Sequence, residues 1–69
     1  MDFHWHDGFT LNVRIDHGAV VLSANREGLL SLADHLTALA EAPENGHFHL
    51  DEYNSLEDGS AELTVERID

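Results

Sequence analysis

NREGLLSLADHLTALAEAP, residues 25–43, is the stretch in which apolar residues recur at intervals of three and four. Leu29, Leu32, Ala33, Leu36, Leu39 and Ala40 fall on one stripe of a helix expected over residues 26–42. Asn25 has the short polar side chain of an N-cap, Glu27 sets negative charge where the helix dipole favours it, and Pro43 stops the helix. Leu30 lies away from the centre of the stripe, at the edge of a core or in an interface. His35 lies beside the stripe, and a structural role is expected for it.

The period is two on either side of this helix. Apolar residues occupy odd positions at Phe3, Trp5, Phe9, Leu11, Val13 and Ile15, with His4, His6, Thr10, Asn12, Arg14 and Asp16 between them. Such a run exceeds the usual strand of about 5 to 6 residues, so Asp7 and Gly8 mark a bend and the surest strand is Phe9 to Asp16. Residues 1–8 are an N-terminal extension of that strand. His17 and Gly18 make a tight turn, and Ala19 to Ser23 returns as a second strand. Beyond the helix, Glu44, Asn45 and Gly46 turn the chain into a third strand, His47 to Asp51, with Phe48 and Leu50 inward. Residues 54–60 are polar and carry an Asp58-Gly59 turn. Residues 61–67 form a fourth strand with Leu63 and Val65 inward. The expected fold is α+β, in the order ββαββ: a four-stranded, mainly antiparallel sheet with one helix packed on one face, strand order 2-1-3-4.

Sixty-nine residues suit one small domain, 1–69, and a chain of this size buries only about 60% of the surface its unfolded form exposes. Self-association or a bound partner would add to a thin margin. There is no cysteine to form a disulfide or a thiolate metal site, and no basic segment followed by an apolar stretch at the N-terminus, so a cytoplasmic location is expected. Fourteen Asp and Glu stand against three Arg and no Lys, for a formal net charge of −11. Nucleic acid and anionic membrane surfaces are excluded as partners on that balance, because both are bound through clustered cations. A basic protein would be steered toward such a chain.

Six histidines invite a metal reading. His4 and His6, and His47 and His49, are two apart and share a strand face, so each pair offers two imidazoles. Pairing of the first and third strands would bring Glu62, Glu66 or Asp51 close as an oxygen ligand. The spacing permits a metal without specifying one, and polar positions on the solvated face of a half-buried sheet carry the same pattern, so no cofactor is assigned. Catalysis is not expected either. The carboxylates of Asp51, Glu52, Glu57 and Asp58, with His17 or His49 as a base, have nothing in the sequence to orient them, and no phosphate-cradling loop, zinc helix or nucleophile motif is present. Asp51-Glu52-Tyr53 with Glu57-Asp58 makes better sense as a contact surface. Its loop is free of core duties, and Tyr53 is an amphipathic aromatic of the kind enriched at interface hot spots. Against this, Tyr53 could equally cap the open end of the core.

Asn25-Arg26-Glu27-Gly28-Leu29-Leu30-Ser31-Leu32-Ala33, then His47-Phe48-His49-Leu50-Asp51-Glu52-Tyr53, then Leu56-Glu57-Asp58-Gly59-Ser60, resembles the Imm32 family of predicted immunity proteins from bacterial polymorphic toxin systems. The resemblance runs from the first strand to the end of the chain and leaves out the opening Phe3 to His6. It implies a cytoplasmic protein that binds and neutralises the toxin domain made beside it. A toxin that is basic around its active surface, as nucleases are, would be occluded by carboxylates standing where phosphates bind. The contact residues expected on the charge argument are Asp51, Glu52, Tyr53, Glu57 and Asp58, with Glu44 nearby. Two alternatives remain: a small homodimeric assembly protein from a mobile element, joined through a sheet edge or the Leu30 side, and a metal-responsive regulator built on the histidines.

Overall fold

Local pattern and turn chemistry set five elements in the computed structural model, which describes residues 4–43 and 45–69. They are β1 (Leu11–Asp16), β2 (Ala19–Ala24), α1 (Arg26–Ala40), β3 (His47–Leu50) and β4 (Leu63–Glu66). The β1–β2 hairpin closes through His17 and Gly18, both in the left-handed region at φ 50° and 82°, as a two-residue turn matched to strand twist requires. The expected strand extension is not present among the described residues of that segment. Residues 4–8 are not in a strand, Gly8 turns the chain at φ 78°, and Phe9 N–H donates to His6 O at 3.2 Å. Phe3 lies outside the described residues.

The order ββαββ stands, but the single sheet does not. β1 pairs antiparallel with β2 and β3 with β4, in two separate two-stranded sheets. The reason lies on the free edge of β1, where the expected order puts β3. Segment 57–61 occupies that edge: Glu57 N–H donates to Leu11 O at 2.8 Å, Ala61 N–H donates to Val13 O at 2.7 Å, and Ser60 Oγ accepts from Val13 N–H at 3.2 Å. A loop read as polar and irregular therefore satisfies backbone groups that a neighbouring strand would otherwise satisfy.

The helix also meets the sheets on a face rotated from the apolar stripe: Leu39 and Leu32 face the core as expected, but the rest of the stripe does not. Its buried residues are Gly28, Ser31, His35 and Leu39, whereas Leu29 and Leu36 are 53% and 43% exposed. Gly28 sets this rotation. A Cβ at Gly28 would lie 2.2 Å from Thr10 O, so the glycine must face that backbone, and positions three, seven and eleven residues on follow it inward. Asn25 holds the same joint as N-cap: its Oδ1 accepts from Gly28 N–H at 2.8 Å and Thr10 N–H at 2.9 Å, and its Nδ2 donates to Gly8 O at 2.8 Å. The helix ends at Ala40, before Pro43 is reached, with Glu41 N–H closing on Thr37 O at 3.0 Å.

His35 therefore lies at the centre of the inward face and not beside it, at 1% exposure, with its Nδ1 2.6 Å from Ser31 O. The N-terminal segment packs over it: Trp5 lies 4.2 Å from His35 between ring centroids and stacks on Phe9 at 4.5 Å. Ser31 Oγ accepts His6 N–H and donates to Glu27 O, both at 2.8 Å, so the buried hydroxyl is satisfied twice. The apolar core is Leu11, Val13, Leu39, Phe48, Leu50 and Leu56, with Leu22, Leu32, Leu63 and Val65 against it. Ile15, expected inward, projects past this core beside its cross-strand partner Val20, at 62% and 63% exposure. Arg67 ties the chain end back, donating from Nη1 to Ala42 O at 2.8 Å and from Nε to Asp69 at 2.7 Å; its guanidinium holds the Asp69 carboxyl below the ordinary carboxylate range. Among the described residues no helix is long and apolar enough to cross a membrane.

Candidate functional site: the acidic loop between the last two strands

Leaving β3 at Leu50, the chain turns at once on two side chains. Asp51 Oδ1 accepts from Tyr53 N–H at 2.9 Å and Asn54 N–H at 3.1 Å, and Asn54 Oδ1 returns the contact by accepting Asp51 N–H at 3.0 Å. Carboxylate and amide thus stand in for backbone carbonyls, as Asp and Asn do in Asx turns. Asn54 Nδ2 also donates to His49 O at 2.9 Å, and Ser55 Oγ donates to Asn54 Oδ1 at 2.6 Å. Leu56 then plunges into the core at 5% exposure and pins the loop from beneath. Its backbone N–H donates to Asp51 O at 2.9 Å.

The second half is fastened differently. Glu52 Oε2 accepts Gly59 N–H at 2.7 Å across the loop, and Gly59 takes φ 87°, which favours glycine at this turn. The 57–61 segment is laid along β1, where Ser60 Oγ also accepts from Asn12 Nδ2 at 3.1 Å. Both ends of the loop are thereby tied to strands, and its side chains are presented from a fixed backbone.

The expected contact residues divide by task. Asp51 is half-buried and its Oδ1 is engaged by two N–H groups; Glu52 is exposed but bridges the loop. Tyr53 is 96% exposed, so it does not cap the core; Leu56 holds that place. Glu57 and Asp58 are exposed; Glu57 is fixed through its backbone, and Asp58 stands between it and Gly59, whose N–H is bonded to Glu52. Glu44 lies outside the described residues. No Lys or Arg occurs between Arg26 and Arg67, so no cation within the loop offsets these carboxylates.

The histidine pairs form, but the oxygen ligands do not gather round them as expected, because β1 and β3 do not pair. The His4 and His6 rings meet edge to face at 5.3 Å, and His6 Nε2 lies 2.9 Å from Asp34 Oδ2. His47 and His49 meet at 4.8 Å, and His49 Nδ1 contacts Thr64 Oγ1 at 2.8 Å with Glu62 at 3.6 Å, through the pairing of β3 with β4. Among the described residues no group of three or more His, Asp or Glu side chains is arranged to hold a metal ion.

A second surface was anticipated only at Leu30. Leu29, Leu30 and Leu36 are exposed on α1, with Ala33 and Ala40 on the same solvent side. Periodicity could not tell that Gly28 rotates the stripe so that Leu29 and Leu36 face out while Leu32 and Leu39 stay against the core; the close approach of Thr10 O carries that signal, and no single sequence displays it.

The family model for Immunity protein 32 (Imm32) matches residues 19–68 of the 69-residue chain. The matched span begins at β2, one strand later than the sequence resemblance suggested, and includes the helix, both later strands and the whole acidic loop. Neither the curated proteins nor the solved structures contain a significant match. With well over half of its length covered by that model, the chain belongs to the Immunity protein 32 family.

Proposed function

We propose that this chain is the immunity partner of a basic toxin domain, which it neutralises by covering the toxin's active surface with the loop from Asp51 to Asp58. One observation carries the reading: a loop tied down at both ends holds a 96% exposed tyrosine beside exposed carboxylates, with no cation of its own. An ordered loop loses little further entropy on binding, and a rigid aromatic flanked by charge suits a hot spot with an electrostatic rim. Asp51 shapes this surface; Tyr53, Glu57 and Asp58 make the contacts, with Glu52 at its border, and Glu44 joins them on the charge argument alone. The chain acts by occlusion in the cytoplasm of the producing cell, as one small domain, and catalyses nothing.

Co-expression with the toxin domain encoded beside it tests this. Cells carrying both survive, and the two proteins purify as a complex. Substituting Tyr53→Ala removes more than about 1 kcal/mol of binding, the level that separates an energetically significant contact from a neutral one. If cells die as readily with the protein as without it, and no complex survives purification, the immunity reading fails.

A second reading has its own support. The exposed leucines of α1 favour a homodimer in which two helices cover each other, because apolar side chains gathered on one exposed helix face mark an interaction surface. Under this reading, Leu29→Glu with Leu36→Glu converts a dimer to a monomer in sedimentation equilibrium; a wild-type monomer at high concentration removes it.

A further inference from the structure

An open groove of about 360 Å3 lies where the acidic loop meets the first hairpin, lined by Thr10, Asn12, Ser23, Ala24, Asn25 and Glu57 over Leu11. We propose that this groove seats one cationic side chain, an arginine or a lysine, of the basic partner; the identity of that occupant rests on the proposed function. Glu57 is the only ionisable residue in the lining. Its position is fixed because its N–H is bonded to Leu11 O at 2.8 Å and its carbonyl accepts Ser60 N–H at 3.1 Å.

The neutral lining groups favour a donor. Asn12 commits its Nδ2 to Ser60 Oγ at 3.1 Å and keeps Oδ1 as an acceptor, and its cross-strand neighbour Ser23 adds a hydroxyl oxygen with one lone pair left beside the bond it accepts from Arg14. Asn25 is occupied in the helix joint and serves as a wall. Arg and Lys carry only donors, and their aliphatic stems can lie along Ala24 while the charge reaches Glu57. One cation already stands at the edge: Arg14 Nη1 donates to Ser23 Oγ at 2.8 Å. It opposes a second positive charge. The two charged neighbours of the groove therefore predict effects of opposite sign.

The test uses the isolated, isotope-labelled chain and three small probes: N-acetyl-arginine methylamide, its lysine counterpart, and the citrulline analogue, which keeps the shape of arginine without the charge. Arginine or lysine shifts the amide signals of Thr10, Asn12, Ser23 and Glu57 saturably, and citrulline does not. Glu57→Gln weakens the cationic probe about 1.5- to 5-fold, the range of an exposed ion pair, and Arg14→Gln tightens it, while Glu62→Gln beside His49 leaves it unchanged. Shifts spread over every acidic residue without saturation, equal losses in Glu57→Gln and Glu62→Gln, or equal binding of citrulline would each overturn the groove. No toxin is present in this experiment, so its failure leaves the immunity reading standing, and failed protection in cells would leave the groove standing.

Discussion

Two joints in this chain are made with the same chemistry and put to opposite uses. At the first, Asn25 bonds Thr10, Gly28 and Gly8 and locks the start of α1 against the β1–β2 hairpin. At the second, Asp51 and Asn54 bond each other's backbone and fold the chain leaving β3. Both rely on short side chains that imitate a backbone carbonyl. The first faces inward, against a glycine with no room for a methyl group, and sets which face of the helix is buried. The second faces outward and leaves Tyr53, Glu57 and Asp58 free on a fixed frame. One device orients an element; the other presents a surface. Mutations at the first joint should therefore register in stability, and those on the surface of the second in binding.

The largest effect is expected at Gly28. Replacing glycine by alanine inside a helix ordinarily stabilises by up to about 1 kcal/mol. Here the new Cβ meets a backbone oxygen that cannot rotate away, so Gly28→Ala should destabilise by about 1–3 kcal/mol, as overpacking does. A rise in the denaturant midpoint would break the assignment of helix phase. Asn25→Ala comes next, at about 1–2 kcal/mol for a lost cap that also holds two other segments. Asn54→Ala should lose about 1 kcal/mol, the net value of a typical hydrogen bond, and should speed amide exchange at Asp51 while the helix stays protected. The smallest stability change belongs to Tyr53→Ala, within about 0.5 kcal/mol, because the side chain touches almost nothing in the free protein. A large loss there would make Tyr53 structural and erase the contrast between the joints.

Each element of the fold was legible where the signal is local. Asn25 marked the helix start, and the alternations through Leu11–Asp16 and His47–Leu50 marked strands. The His17-Gly18 and Asp58-Gly59 turns fell where glycine takes positive φ. The parts that were not legible depend on partners distant in the chain. Nothing in residues 57–61 announces that they line the edge of β1, because Glu57 and Ala61 do so through backbone groups that every residue carries. The helix face was misread because hydropathy favours Leu29 and Leu36 over Gly28, Ser31 and His35, whereas close approach and buried hydrogen bonding favour the latter set. In the candidate site, Tyr53 and the carboxylates could be picked out by type. The division between Asp51 and Glu52, which shape the loop, and Glu57 and Asp58, whose side chains are exposed, required the geometry.

The most direct test of the acidic loop as the contact surface is the dissociation constant of the complex with the neighbouring toxin domain, measured across a salt series. Wild type is compared with the triple variant Tyr53→Ala, Glu57→Gln, Asp58→Asn. The variant should keep its fold, bind at least about tenfold more weakly from the loss of the aromatic anchor and two rim charges, and show a flatter dependence on salt. An unchanged constant with an unchanged salt slope would contradict the account and move the contact surface away from this loop.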